Sequence, residues 1–163
     1  MRAQATSTLE NLALSAKLDK NVCPVFDAAI PPLIERLSDP DPSVRILAPA
    51  ALGRIGKQPD KVVPALARLL SDQHEDVRWC AASALGDFGK AAGGALPELK
   101  RALGDSYALV RQDAANALGN IGRSAASAAP TLAKMAADEK ESEDVRKAAA
   151  EALKKIRGEK TGK

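Results

Sequence analysis

Apolar residues along this chain fall into short helical stripes: Ile30, Leu33 and Leu37; Val63, Leu66 and Leu70; Leu96, Leu99 and Leu103. A weaker fourth stripe joins Ala129, Leu132 and Ala136. Each has the i, i+3, i+7 spacing of one buried helix face. Each is followed by a polar turn and a second, alanine-rich stripe, clearest in Val77, Ala81, Ala84, Leu85 and Phe88. That second line returns at 44–56, 110–122 and, more loosely, 145–157. Its arginine falls at 45, 78, 111 and 146, in steps of 33, 33 and 35 residues. A fixed period of this length predicts stacked helix pairs, each too small to bury its own apolar face.

The pattern divides the chain into four units, 28–57, 60–90, 93–123 and 127–157, preceded by 1–27 and followed by a basic tail at 158–163. Residues 2–12 match a second helix: Arg2, Ala5, Leu9 and Leu12 correspond to Arg45, Ala48, Leu52 and Ile55. This segment is either an N-terminal cap or the remnant of a preceding unit, with a loop at 17–24. Pro31 and Pro32 suit the first turn of a helix beginning near Ala28, where a missing N–H costs nothing. Asp41 and Pro42 suit a helix cap and first position. Pro49 stands where the other units carry Ala82, Ala115 and Ala150, which predicts a kink or a lost hydrogen bond. The fourth turn, Asp138 to Asp144, is longer and strongly charged. The last helix has Lys154 and Arg157 in place of the repeat's glycines, as a polar end cap would.

Composition narrows the chemistry. The apolar fraction is 45% but aromatic residues are only 2%, which favours closely packed helices. Net charge is +3, spread without a block of one sign, and this argues against nucleic-acid and membrane partners. Cys23 and Cys80 make no disulfide framework and no metal-ligand spacing, which points to a reducing, cytoplasmic setting. His74, the sole histidine, sits on a turn. One His-Glu pair cannot furnish a di-iron site, and no phosphate loop, EF-hand loop or nucleophile elbow is present. The expectation is a non-enzyme with no cofactor and no metal.

The motif Pro64-x-Leu66-x-x-x-Leu70, Ser71-Asp72, Val77-Arg78, Ala81-Ala82-x-Ala84-Leu85-Gly86 and Phe88-Gly89, repeated in register, resembles the HEAT repeats, in particular the short HEAT-like or phycobilin-lyase type. The resemblance implies an all-α, right-handed α-α superhelical solenoid. It also implies a stacking ladder of Asp39/Arg45, Asp72/Arg78, Asp105/Arg111 and Asp138/Arg146, in which each arginine fork binds an aspartate of its own or the adjacent unit.

By the same resemblance the second helices line the concave side. A helical wheel then turns Trp79, Ser83 and Asp87 outward, flanked by Cys80. The equivalent sets are Ile46, Ala50 and Arg54 with Leu47; Gln112, Asn116 and Asn120 with Asp113; and Lys147, Glu151 and Lys155 with Ala148. The candidate partner-binding positions are Ile46, Leu47, Trp79, Cys80, Ser83, Asp87, Gln112 and Asn116. Trp79 beside Ile46 and Leu47 has the composition of a protein-binding hot spot, or else it covers a joint between repeats. The function expected is a non-catalytic scaffold for a protein partner. The alternatives are a phycobilin-lyase-like accessory subunit and, with less support, a HEAT-like DNA-binding protein.

Overall fold

The computed structural model describes residues 23–159. The segments 1–22 and 160–163 lie outside it, and with them the expected helix at 2–12 and most of the expected loop and tail. Eight α-helices follow one another among the described residues: α1 (Cys23–Arg36), α2 (Pro42–Ile55), α3 (Pro59–Leu69), α4 (Glu75–Phe88), α5 (Leu96–Ala102), α6 (Ala108–Ile121), α7 (Ala129–Ala137) and α8 (Glu143–Arg157). Seven-residue 3₁₀ segments, Gly89–Ala95 and Gly122–Ala128, lead into α5 and α7. The helices pair as α1/α2, α3/α4, α5/α6 and α7/α8, and one continuous apolar layer runs through all four pairs. The fold is an all-α solenoid.

The helix starts follow from local chemistry. Asp41 caps α2 by accepting from Ser43 N–H at 2.9 Å, and Pro42 occupies the first helical position. Ser142 caps α8 in the same way through Val145 N–H. Gly89 and Gly122 end α4 and α6 with φ of +53° and +77°, a backbone that side chains resist.

Proline placement departs from expectation. α1 begins at Cys23, five residues before Ala28, so Pro31 and Pro32 lie inside the helix. Both are exposed, as are Asp27 and Ala28, whose carbonyls lose their amide partners to the prolines. Water can solvate those carbonyls on the outer side, which makes the interior prolines tolerable. α2 likewise runs unbroken through the buried Pro49, leaving the Arg45 carbonyl without its usual i+4 donor.

The second helices α2, α4, α6 and α8 pack directly on one another, whereas successive first helices touch far less. Small residues allow this. A Cβ built on Gly53 would lie 3.1 Å from Ala84 Cα, and one on Gly119 would lie 2.8 Å from Ala152 Cα. The second helices therefore form the closely packed layer of the stack.

Candidate functional site

Two rows of polar contacts cross the solenoid from unit to unit. The first is half-buried at the turn edge and is built by the repeated arginine. Arg45 donates from Nε and Nη2 to Asp72 at 2.8 and 3.0 Å, while its Nη1 reaches the carbonyls of Asp39 and Pro40. Arg78 repeats this with Asp105 at 2.7 and 2.9 Å and with its own turn at Asp72 and Gln73. Each arginine therefore binds the carboxylate of the following unit and the backbone of its own. The aspartate does two jobs as well: Asp72 and Asp105 also accept from His74 N–H and Tyr107 N–H, closing the turn. Asp39 accepts from Asp41 N–H and from Arg36.

Burial alone pushes the Asp72 and Asp105 carboxyls up. The arginine fork, the turn N–H and the arginine charge together outweigh it and hold both below the usual carboxylate range. Arg45 and Arg78 are raised, first by the same side-chain hydrogen bonds.

The third rung differs from the first two. Arg111 binds Glu141, at 2.9 Å from Nε and 2.6 Å from Nη2, and not Asp138. Asp138 keeps only the turn-closing role, accepting from Lys140 N–H at 3.0 Å. Two extra residues displace the aspartate from the fork, and the longer glutamate side chain supplies the reach. Arg146 pairs with neither, and its buried Nε has no acceptor among the described residues.

The second row runs along the second helices α4, α6 and α8. Trp79 is half-buried and packs against the core, and its Nε1–H donates to Asp113 of the next unit at 2.8 Å. Asn116 donates to the other Asp113 oxygen at 3.3 Å. One helical turn further along, Asn120 donates to the Gly86 carbonyl at 3.1 Å and accepts from Lys155 at 2.9 Å. Ser83, Gly86, Asp87, Asp113, Asn116, Asn120 and Lys155 together line a shallow open groove of about 270 Å³.

Of the sequence-derived positions, Ser83, Asp87 and Asn116 meet in this groove. Trp79 adjoins it through Asp113. Ile46, Leu47, Cys80 and Gln112 are half-buried and lie outside its lining. Trp79, Ile46 and Leu47 are each half-buried, and Ile46 and Trp79 pack against the core. Among the described residues only Leu109 is a large exposed hydrophobe. Asp113, Asn120 and Lys155, which the helical wheel also turned outward but which were not among the eight partner-binding positions, line it too. The signal for them is the offset of 34 or 35 residues that sets one second helix beside the next: 79 to 113, 86 to 120, 120 to 155.

Among the described residues, no group of three His, Cys, Asp or Glu side chains could hold a metal ion. No described helix is long and apolar enough to cross a membrane. His74 is exposed on its turn.

Comparison with known proteins points the same way. No curated protein matches. An engineered protein of known structure is similar at 26% identity and a TM-score of 0.72, over 96% of this chain and 73% of that one. A designed armadillo repeat protein is similar at 27% identity with a TM-score of 0.62, over 77% of this chain. A further designed armadillo repeat protein, solved in complex with the peptide (KR)4, is similar at 25% identity and a TM-score of 0.64. This chain spans 63% of the length of each of those two armadillo proteins. The family model of HEAT repeats matches residues 30–119 and 96–162. With its four helix pairs and that match, the chain belongs to the HEAT-repeat family.

Proposed function

We propose that this protein is a non-catalytic interaction module that holds an extended segment of a partner protein along its concave face. The observation that carries the reading is the strip of side-chain donors and acceptors across α4, α6 and α8. Asp87, Asn116, Asn120 and Lys155 present both kinds of group beside an open groove, at the spacing of the repeat. A segment laid across such a strip finds partners for its own N–H and C=O groups, and a solenoid needs no reactive group to do this. The groove is polar, shallow and smaller than pockets that enclose small molecules, which disfavours a bilin or other cofactor there. The designed armadillo protein that carries (KR)4 offers a precedent for peptide binding on a related architecture.

The test is selection of a random dodecapeptide library against the wild type and against Ser83→Arg. Ser83 is exposed, so its replacement crowds the groove without touching the core. Wild type should enrich peptides that Ser83→Arg binds at least tenfold more weakly, with both proteins melting at the same temperature. Enrichment of none, or equal binding to both proteins, refutes the reading.

A further inference from the structure

A basic residue follows the glycine that ends α2, α4 and α6, so that Lys57, Lys90 and Arg123 recur with the period of the repeat. Lys57 is answered by Asp27 at 3.4 Å. The positions aligned with Asp27 are Asp60 and Gly93, so the third unit has no carboxylate there. Lys90 and Arg123 are exposed, and their side chains enter no hydrogen bond or ion pair among the described residues. Arg123 is nonetheless held in place against the end of α8, since a Cβ built on Gly158 would come within 2.8 Å of its Nη2. These two side chains, with Lys155 of α8 and the exposed Ser124, line an open cavity of about 470 Å³ whose remaining walls are Ile121 and Gly122. No carboxylate lines it. The C-termini of α4, α6 and α8 supply roughly half a negative charge each, which offsets only about half of the three cations.

We propose that this cavity binds the phosphoryl group of a phosphoserine carried on the partner segment that lies in the adjoining groove. The inference rests on the groove reading, because Lys155 lines both the cavity and the groove. Charge and donor count select the occupant. Lys155 spends one N–H on Asn120 and keeps two, while Lys90, Arg123 and the Ser124 hydroxyl are uncommitted. A carboxylate offers two oxygens and one charge to these groups. A phosphoryl group offers three terminal oxygens and a charge of about −1.5 to −2, close to the positive charge that the helix ends leave unbalanced. A longer polyanion does not fit, since Asp87 and Asp113 line the groove beside the cavity and would repel it. The ligand is therefore one phosphorylated side chain on an otherwise uncharged segment.

The probe is acetyl-Ala-phosphoserine-Ala-amide, with the Glu and Ser peptides as controls, titrated at neutral pH and physiological salt into ¹⁵N-labelled protein. The backbone amide signals of Gly122, Arg123 and Ser124 should shift and saturate at a concentration on the order of millimolar. The Glu peptide should bind about fivefold more weakly or worse, and the Ser peptide should leave the signals in place. Lys90→Gln combined with Arg123→Gln should abolish the response, and both residues are exposed, so the melting temperature should not change. Lys100→Gln combined with Lys134→Gln removes two exposed cations elsewhere and should change nothing. Equal weakening by the two double variants, equal affinity for the Glu peptide, or no saturation overturns the proposal. Ser83 lines the groove but not this cavity, so the tripeptide should bind Ser83→Arg as it binds wild type. Failure of the cavity and failure of the groove are thereby read in separate experiments.

Discussion

At the scale of single residues the ladder carries the clearest energetic consequence. Replacing Asp72 by Asn leaves the Arg45 guanidinium, only 16% exposed, with an amide in place of a charged acceptor. The expected loss is about 2–3 kcal/mol at pH 7. Its pH dependence has a fixed sign. The Asp72 carboxyl is held below its ordinary value of 3.8 in the folded protein. Its contribution is therefore complete above that value and disappears as pH falls through the lower folded value. Urea unfolding from pH 7 down to pH 2.5 should show wild type and Asp72→Asn converging at the acid end. A gap that stays constant would mean the carboxylate charge is not what stabilises. The residue types of the ladder were legible in the sequence, because they recur with the repeat. Which partner each arginine takes was not: an aspartate of the same unit lies as near along the chain as the fork could wish. The choice depends on turn geometry, which gives the arginine its own turn's carbonyls and the following unit's carboxylate. Glu141 shows the same limit, since only the fold reveals that a glutamate three residues beyond the aligned Asp138 reaches the fork.

At the scale of the helix, the second helices approach one another through glycine and alanine, and the seams are not equal. A Cβ on Gly119 would sit 2.8 Å from the Ala152 backbone, whereas one on Gly86 has nothing nearer than 3.8 Å. Gly→Ala should therefore have opposite signs at two positions that the sequence makes equivalent. Gly86→Ala removes unfolded-chain entropy and adds helix propensity, and should stabilise by about 0.5–1 kcal/mol. Gly119→Ala must push α6 and α8 apart, and should destabilise by about 1–3 kcal/mol. Thermal melts of the two variants decide it, and two shifts of the same sign would contradict the close approach. The recurrence of glycine at 53, 86 and 119 is plain in the sequence, but seam width is not, because it depends on the rotation of each helix pair against the next. The same holds for Pro31 and Pro32. Their fit to a first helical turn is real, yet burial of Phe26 and Ile30 extends α1 backwards, and tertiary packing outweighs the local preference.

At the scale of the molecule, a stack in which each unit touches only its neighbours derives its cooperativity from the joints. The period alone was enough to read this architecture, since any chain with that spacing must stack to bury its stripes. The groove was only partly legible, for it depends on which side chains meet across units. The joints can be weakened one at a time. Arg78→Met removes the rung between α4 and α6, in the middle of the described array, and Arg111→Met removes the one between α6 and the last pair. Trp79, the only tryptophan, lies at the middle joint and bonds across it to Asp113, so its fluorescence reports that joint while far-ultraviolet circular dichroism reports all the helices. In wild type the two signals should change together on urea unfolding. In Arg78→Met the fluorescence midpoint should fall below the dichroism midpoint, and the dichroism transition should broaden with a lower slope. In Arg111→Met the order reverses: the last helix pair is shed first as a loss of dichroism, while the fluorescence midpoint remains near that of wild type. Coincident signals and an unchanged slope in both variants would mean that the four pairs share one indivisible core, and that the ladder adds stability without dividing it among the joints.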